Sequence, residues 1–495
     1  MVEAVRPGIA THFLRYSLGS VLVMLAGVVS FPVMARLLDY TQYGLLGIFD
    51  SVLLVLAAVF KFGGQHAALR FYPHRGGVSI LAGYGANQIL IPFLGSCLLW
   101  AIAMFVFATA PQLARYAHDA AGWLALASLL PTIWISMMAA LMMAQERSGL
   151  SVLVNAGSRW LNVMAVLGIV YFVSRTASGV YAGRLIVELF VAAVLGMWVW
   201  RQKVPMRWRD RDWVQVLSGA RYGMPLMANE IAVVLLVTVD RLMLQDLTGS
   251  TEAVGVYSVG ASLALQVSVM LHAALNISYF QVSIRQFETE GAAAVVRTKR
   301  RVLNVLVYVV VAAIAGLLAV GRDAFLLLTG PSKAESAPVF VILCLMFVAG
   351  GLVELCTAGL QLYKRSVTIF MLSSVAAIAN IVLNVFLIPR FGVMGAVYAT
   401  LGSAAIFGAG SWIVCPRDLL ALPRMRATGL ALGLGALVCW IAWATHLFGL
   451  VSHPARLAAM VLLELVLFAG PALMLDRNLR NALLEQWQRW RGRFA

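Results

Sequence analysis

Charged residues are scarce in this sequence. Asp, Glu, Lys and Arg make up 12% of the 495 residues, whereas an ordinary soluble domain contains roughly 25%. Hydrophobic residues account for 62%, and the mean hydropathy is +0.89. A water-exposed fold cannot bury that much apolar surface. The composition therefore excludes a soluble globular protein and predicts an integral membrane protein.

Cysteine is also rare, and its spacing is not that of a metal site or a disulfide framework. The five cysteines lie in or at the ends of apolar stretches without a CxxC pair, so we interpret them as small hydrophobic core residues. The GxxxxGK[ST] motif of ATP-driven exporters is missing from the sequence as well. We therefore expect no metal site, no cofactor and no nucleotide-driven export.

Long apolar runs are what the sequence contains instead. A helix needs roughly 20 apolar residues to cross a bilayer, and the first run is too long for the apolar region of a cleavable signal peptide. We predict an all-α polytopic fold of about fourteen spans. They lie near residues 13–35, 43–64, 83–109, 121–143, 150–173, 178–200, 222–244, 253–280, 302–328, 337–362, 367–388, 392–414, 427–449 and 455–475.

Basic residues predict the orientation of these spans. Most of the 37 Lys and Arg residues fall in the short segments on the side that also holds both chain termini, and such residues are retained in the cytoplasm. We therefore predict that both termini are cytoplasmic. The formal net charge of +16 is then mainly a topological signal, and it does not point to a nucleic-acid partner.

A repeat divides the predicted spans into two halves. Arg15-Tyr16 opens the first span and Arg221-Tyr222 opens the seventh, after the longest basic loop. Parallel repeats in transporters place the substrate between the halves. We predict a six-helix lobe at 1–200, a cytoplasmic loop at 201–221, a second six-helix lobe at 222–414, an appended helix pair at 415–475 and a basic amphipathic tail at 476–495.

Three groups of residues resemble motifs of the polysaccharide transporters, a family of the multidrug/oligosaccharidyl-lipid/polysaccharide flippase superfamily. The matching segments are residues 239–244 (VDRLML) with 253–258 (AVGVYS), residues 380–384 (NIVLN) with 388–396 (IPRFGVMGA), and Pro32 with 35–38 (ARLL) and 43–45 (YGL). The resemblance implies two helical lobes in a V. It implies a flippase that moves an undecaprenyl-pyrophosphate-linked oligosaccharide to the periplasmic leaflet, driven by an ion gradient. A polysaccharide polymerase is an expected partner, with the membrane lipids.

Cations inside the spans are the candidates for binding the pyrophosphate. A charge at the bilayer centre costs roughly 2.5 to 3.5 kcal/mol, so it usually faces a cavity or a partner. We predict that Arg15, Lys61 and Arg159 match the phosphate charges, because basic side chains form strong charge-assisted hydrogen bonds to phosphate. Asn155 and Asn162 share one helix face with Arg159. This stripe lines the lumen or, alternatively, bonds to neighbouring helices.

Carboxylates inside the spans are the candidates for ion coupling. Glu230 and Glu354 lack an obvious local basic partner, so we expect burial to favour their protonated forms. With Asp50 they are predicted to couple transport to a proton or a sodium ion, and an interhelical hydrogen bond is the alternative. Arg184 and Glu188 stand at i, i+4 and are predicted to form a structural ion pair.

Asp240 and Arg241 belong to the first resemblance motif and are predicted to act as a gate or to hold the adjacent loop. Overall, the intramembrane charges are basic in the first half and acidic in the second. That asymmetry favours an anionic substrate over the cations of a multidrug extruder. A lipid II flippase remains an alternative. An enzyme acting on lipid-linked sugars is disfavoured, because no outer loop is long enough for a catalytic domain.

Overall fold

The computed structural model describes residues 9–73, 78–202, 206–275, 279, 281–363, 365–444 and 453–491. The regular elements in these ranges are all helical. They are α1 (Ile9–Leu37), α2 (Tyr40–Phe60), α3 (Gly64–Arg70), α4 (Val78–Tyr84), α5 (Ile91–Thr109), α6 (Ala114–Ala117), α7 (Ala120–Ala144), α8 (Ser148–Phe172), α9 (Ala177–Arg201), α10 (Trp213–Thr248), α11 (Thr251–Leu275), α12 (Gln281–Glu290), α13 (Ala292–Thr329), α14 (Ala337–Thr357), α15 (Ser366–Phe391), α16 (Val393–Val414), α17 (Met425–Ala444), α18 (His453–Leu463), α19 (Gly470–Leu475) and α20 (Arg477–Arg491).

Fourteen helical stretches within the described residues are long and apolar enough to cross a membrane. Two of these are continuous through a π-helical turn. Residues Gly85–Leu90 join α4 to α5, and residues Glu464–Ala469 join α18 to α19. The number of spans and the all-α fold agree with the sequence prediction.

The chain divides into two compact units, residues 1–255 and 256–495. In unit 1, one buried cluster is centred on α7, where Ile133, Met137 and Leu141 are fully buried. In unit 2, α13 packs against α17 and α18. The seventh span, α10, contacts α2 and α3 within unit 1. The six-helix lobes derived from the repeat remain a prediction.

The loop predicted at 201–221 is shorter than expected, because α10 already begins at Trp213. Asp212 caps this helix, and its side chain accepts a hydrogen bond from the backbone N–H of Val214 at 2.9 Å. A capped N-terminus stabilises the first turn. The helix therefore starts before the apolar run that marked the span in the sequence.

Two glycines allow backbones to approach closely in unit 1. A Cβ atom on Gly44 would lie 1.9 Å from the carbonyl oxygen of Thr251, and one on Gly255 would lie 1.8 Å from that of Tyr40. Small residues permit such close contact between membrane helices. Both glycines belong to the motifs that carry the family resemblance, and they bring α2 against the start of α11.

Candidate functional site

A first ion pair joins α2 to α10 within unit 1. Lys61 caps the C-terminus of α2, and its Nζ lies 2.5 Å from Oε1 of Glu230. Gln65 on α3 donates from Nε2 to the other oxygen, Oε2, at 2.9 Å. The Lys61 and Glu230 side chains are only 13% and 28% exposed. Each charge is therefore held in a largely desolvated setting by its partner.

Local backbone geometry places these groups. The chain turns sharply between α2 and α3, where Phe62 and Gly63 have φ angles of 50° and 68°. Glycine adopts this left-handed conformation without a Cβ penalty. Gly63 also lies against the backbone of Gly223, where a Cβ would come within 2.2 Å of the carbonyl oxygen. The turn thus presses α3 and the end of α2 against α10.

Glu230 lacks a basic partner nearby in the sequence, but the fold supplies a distant one in Lys61. The two residues are separated by 169 positions in the chain. The packing of α10 beside α2 brings them together. The spacing of residues along a single helix does not reveal such a pair. Gln65, four positions after Lys61 in the sequence, was a polar residue that could have signalled this cluster.

A second ion pair lies further along α2. The Arg184 guanidinium on α9 reaches both oxygens of Asp50, with Nη1 to Oδ1 at 2.5 Å and Nη2 to Oδ2 at 3.3 Å. The Tyr181 hydroxyl donates to Asp50 Oδ1 at 2.9 Å, and the guanidinium carbon lies 5.2 Å from the Tyr181 ring centroid. Two guanidinium contacts and a phenol compensate the Asp50 carboxylate.

The predicted ion pair between Arg184 and Glu188 is wrong, because Arg184 turns to Asp50 instead. One arginine fork aligned with both oxygens of a carboxylate on another helix makes two charge-assisted bonds at once. Glu188 lies one turn away on α9, and its Oε2 is buried without a hydrogen-bond partner among the described residues. Tyr181, three residues before Arg184, was an available signal for this cluster.

The polar stripe on α8 runs beside the second pair. Arg159 interacts electrostatically with both Arg184 and Asp50. The side chains of Arg159 and Asn155 are exposed in unit 1, and Asn162 is partly buried. Asn155 contacts the Ser151 hydroxyl of the same helix, at 3.4 Å. The three side chains keep accessible surface on one face, and their role in binding stays a prediction.

Two other predicted groups occupy different positions. Asp240 and Arg241 on α10 are both buried, and Arg241 interacts electrostatically with Tyr43 on α2. Glu354 is partly buried in α14 of unit 2. The side chain of Arg15 lies outside the described part of the chain. Gate and coupling roles for these residues stay predictions.

Unit 2 contains a buried cation that the sequence analysis did not single out. Lys299 on α13 is fully buried. Its Nζ lies 2.5 Å from the carbonyl oxygens of both Ala358 and Leu419. These bonds anchor the segments that follow α14 and α16. Among the described residues, no group of three or more His, Cys, Asp or Glu side chains could hold a metal ion.

The fourteen apolar helices found among the described residues and the ion pairs between them in unit 1 define the class of this protein. It is a polytopic membrane protein with paired charges between its spans. The sequence profile of the family described as "Polysaccharide biosynthesis protein" matches residues 10–280. This is more than half of the chain, and the chain belongs to that family. The match confirms the resemblance noted in the motifs and places the chain in the multidrug/oligosaccharidyl-lipid/polysaccharide flippase superfamily.

Known proteins similar to this chain agree with that placement. A Haloferax volcanii protein named "Probable flippase AglR" is 26% identical over 235 residues, which are 47% of this chain and 49% of the relative. The chain thus matches about half the length of that relative. The lipid II flippase MurJ in an inward closed conformation shares the fold with a TM-score of 0.72 at 11% identity, covering 94% of this chain and 99% of MurJ.

An inward-facing multidrug resistance transporter of the MATE family also shares the fold. Its TM-score is 0.60 at 13% identity, and the likeness covers 88% of this chain and 99% of that chain. At such low identities these two structures establish the fold alone.

Proposed function

We propose that this protein is a flippase for an undecaprenyl-pyrophosphate-linked oligosaccharide, moving it from the cytoplasmic to the periplasmic leaflet of a bacterial inner membrane. The family and the name of its archaeal relative support a flippase. The observation that carries the substrate class is the second ion pair with Arg159 beside it. Arg159 interacts electrostatically with both Arg184 and Asp50, and two guanidinium groups coupled in this way suit an anion with more than one negative oxygen.

In this proposal the carboxylates stand in for the substrate when the site is empty. A desolvated cation without a partner is costly, so Asp50 and Glu230 keep Arg184 and Lys61 compensated. An entering pyrophosphate offers the same cations more oxygens than a carboxylate does. Exchange of one anion for the other then lets the protein bind a charged headgroup without leaving a bare charge in the apolar interior.

The same exchange offers a route to ion coupling. A carboxylate displaced from its cation becomes an unpaired buried charge, and it lowers its cost by taking up a proton or a sodium ion. Asp50 and Glu230 fit this description in unit 1, and Glu354 is the corresponding candidate in unit 2. Movement of the ion down its gradient then favours one direction of an alternating-access cycle.

Two alternatives are separated by their substrates. A multidrug extruder expels cations and is best served by acidic groups that have no cation beside them, whereas Asp50 and Glu230 are both held by basic side chains. A lipid II flippase differs in the sugar it carries. The proposal expects the protein to serve O-antigen, capsule or exopolysaccharide synthesis, upstream of a polymerase in the periplasm.

Deletion of the gene tests the proposal in cells. We expect lipid-linked oligosaccharide to accumulate in the inner leaflet while peptidoglycan synthesis continues, because lipid II transport does not depend on this protein. Loss of peptidoglycan synthesis, or sensitivity to cationic drugs with normal polysaccharide export, would contradict the proposal.

Complementation with two arginine variants tests the site. Arg159→Ala removes the cation beside Arg184, and we expect it to restore export at most to about one tenth of the parent rate, a loss of ~1.4 kcal/mol. Arg175→Ala removes an exposed arginine of the α8–α9 connection, and we expect it to restore full export. Equal export by the two variants would remove Arg159 from the site.

A further inference from the structure

Glu188 differs from the other intramembrane carboxylates of unit 1 in its surroundings. Arg184 lies one turn before it on α9, but that guanidinium is engaged with Asp50 and stacks on Tyr181. The Oε2 atom of Glu188 is buried and has no hydrogen-bond partner among the described residues. Its nearest cation is therefore already matched by another carboxylate, and an ionised Glu188 would have to share Arg184 with Asp50.

The hydroxyl beside Glu188 gives little support to an ionised carboxylate. Thr132 on α7 donates to the carbonyl oxygen of Ser128 at 2.8 Å, and a hydroxyl has one hydrogen to donate. While that bond is made, Thr132 has no hydrogen left to donate to Glu188.

The other helices packed against this position supply few competing charges. α7 contains no Asp, Glu, Lys or Arg between its ends. α2 contributes Asp50 with Tyr43, and α8 contributes Arg159, which interacts with Arg184 and Asp50. The remaining titratable group is Tyr181 on α9 itself, whose hydroxyl donates to Asp50.

We propose that Glu188 is the proton-binding group of unit 1, and that its ionisation competes with Asp50 for Arg184. In this proposal the proton resides on the Glu188 carboxyl while Arg184 is bound to Asp50. When the O–H bond breaks, the proton leaves to water and the carboxylate that remains accepts N–H bonds from Arg184, one turn away on the same helix face. Asp50 then loses part of its compensation, so one proton decides whether Arg184 ties α2 to α9.

This assignment differs from the ion-coupling residues considered above, and its consequence for transport rests on the proposed flippase function. The proton site itself does not depend on the flippase function. The first measurement therefore needs no substrate, and the second measures substrate transport.

The first measurement is an infrared pH titration of the purified full-length protein in lipid nanodiscs, following the carbonyl band of protonated carboxyl groups. We expect a titrating band that Glu188→Gln abolishes and Glu188→Asp retains at a shifted position. Glu146→Gln is the control, because Glu146 is an exposed carboxyl of unit 1 that lies between two spans. We expect it to leave the band intact. A band unchanged by Glu188→Gln in a protein that elutes as the parent does would overturn the proposal.

The second measurement is flipping of a labelled lipid-linked oligosaccharide in vesicles with and without a pH gradient. We expect the gradient to accelerate flipping by the parent protein and by Glu188→Asp, and to lose its effect in Glu188→Gln. Gradient dependence that survives in Glu188→Gln would contradict the coupling role. A parent protein that flips no substrate while the infrared band behaves as expected would refute the flippase function and leave the proton site established.

Discussion

At the scale of single residues, cations in apolar surroundings are matched by oxygen atoms of the protein. The pairs are Lys61 with Glu230, Arg184 with Asp50, and Lys299 with the carbonyl groups of Ala358 and Leu419. A desolvated charge costs several kcal/mol unless such partners compensate it. In the proposed function, Lys61 and Arg184 are therefore held by carboxylates that a substrate anion would replace.

Removing one member of the first pair tests this compensation. Lys61→Met leaves the Glu230 carboxylate with only the Gln65 amide, and we expect a loss of about 1–2 kcal/mol of stability. This is less than for a fully buried pair, because Glu230 keeps some hydration. Adding Glu230→Gln removes the orphaned charge and should recover part of the loss. Apparent unfolding temperatures of the parent, both single variants and the double variant provide the measurement, and strictly additive effects would contradict the pairing.

At the scale of helices, glycine contacts set how closely α2 and α11 approach in unit 1. Gly255→Ala places a methyl group against the Tyr40 carbonyl, and we expect it to destabilise the protein by about 1–3 kcal/mol. Gly157→Ala is the matched control, because Gly157 is helical and a Cβ there would meet nothing within 4 Å. Alanine is the better helix former, so this variant should be neutral or slightly stabilising. Equal unfolding temperatures for the two variants would contradict the close contact.

One carboxylate, that of Asp476, joins the start of α20 to α13 within unit 2. Asp476 Oδ1 accepts from the backbone N–H of Asn478 at 2.9 Å and of Leu479 at 3.3 Å. Its Oδ2 accepts from the Tyr308 hydroxyl at 2.9 Å. Burial acts to raise the pKa of Asp476, but these hydrogen bonds outweigh burial and lower the pKa below its ordinary value of 3.8. The ionised form is therefore the one that holds α20.

Hydrogen exchange of the α20 amides tests this role. A lowered pKa in the folded state means that the stabilisation is complete above pH 3.8 and is lost as the pH falls further, through the folded-state pKa. We expect Asp476→Asn to exchange faster than the parent at pH 6. The difference between the two, corrected for intrinsic exchange, should shrink below pH 3.8. A difference that does not depend on pH would contradict ionisation as its cause.

Helix-level patterns explain which parts could be predicted from sequence. Runs of apolar residues located the spans, because their length is dictated by the bilayer. The i, i+4 spacing also grouped Arg184 with Glu188 on one face, but it could not reveal that Asp50 of α2 lies opposite. Partners on different helices depend on packing angles and contacts such as that of Gly63 with Gly223, which no single helix encodes.

At the scale of the whole molecule, the net charge of +16 bears on the orientation in the membrane, whereas the family and the paired charges bear on function. The family match supports membership of the flippase superfamily, and the paired charges of unit 1 support an anionic headgroup as the cargo. Orientation and lobe structure follow from charge distribution and the repeat, and they remain predictions. The sugar carried by the lipid depends on the shape of a cavity formed by many helices, which residue patterns do not specify.

Transfer of labelled undecaprenyl-pyrophosphate-linked oligosaccharide between leaflets of vesicles containing the purified protein tests the central claim most directly. We expect the parent protein to accelerate transfer over protein-free vesicles, and Arg184→Ala to reduce that acceleration by about tenfold or more. Lipid II and a cationic drug, measured in parallel, should move at the protein-free rate. Transfer of the oligosaccharide no faster than in protein-free vesicles, with transport of either comparison compound, would contradict the account.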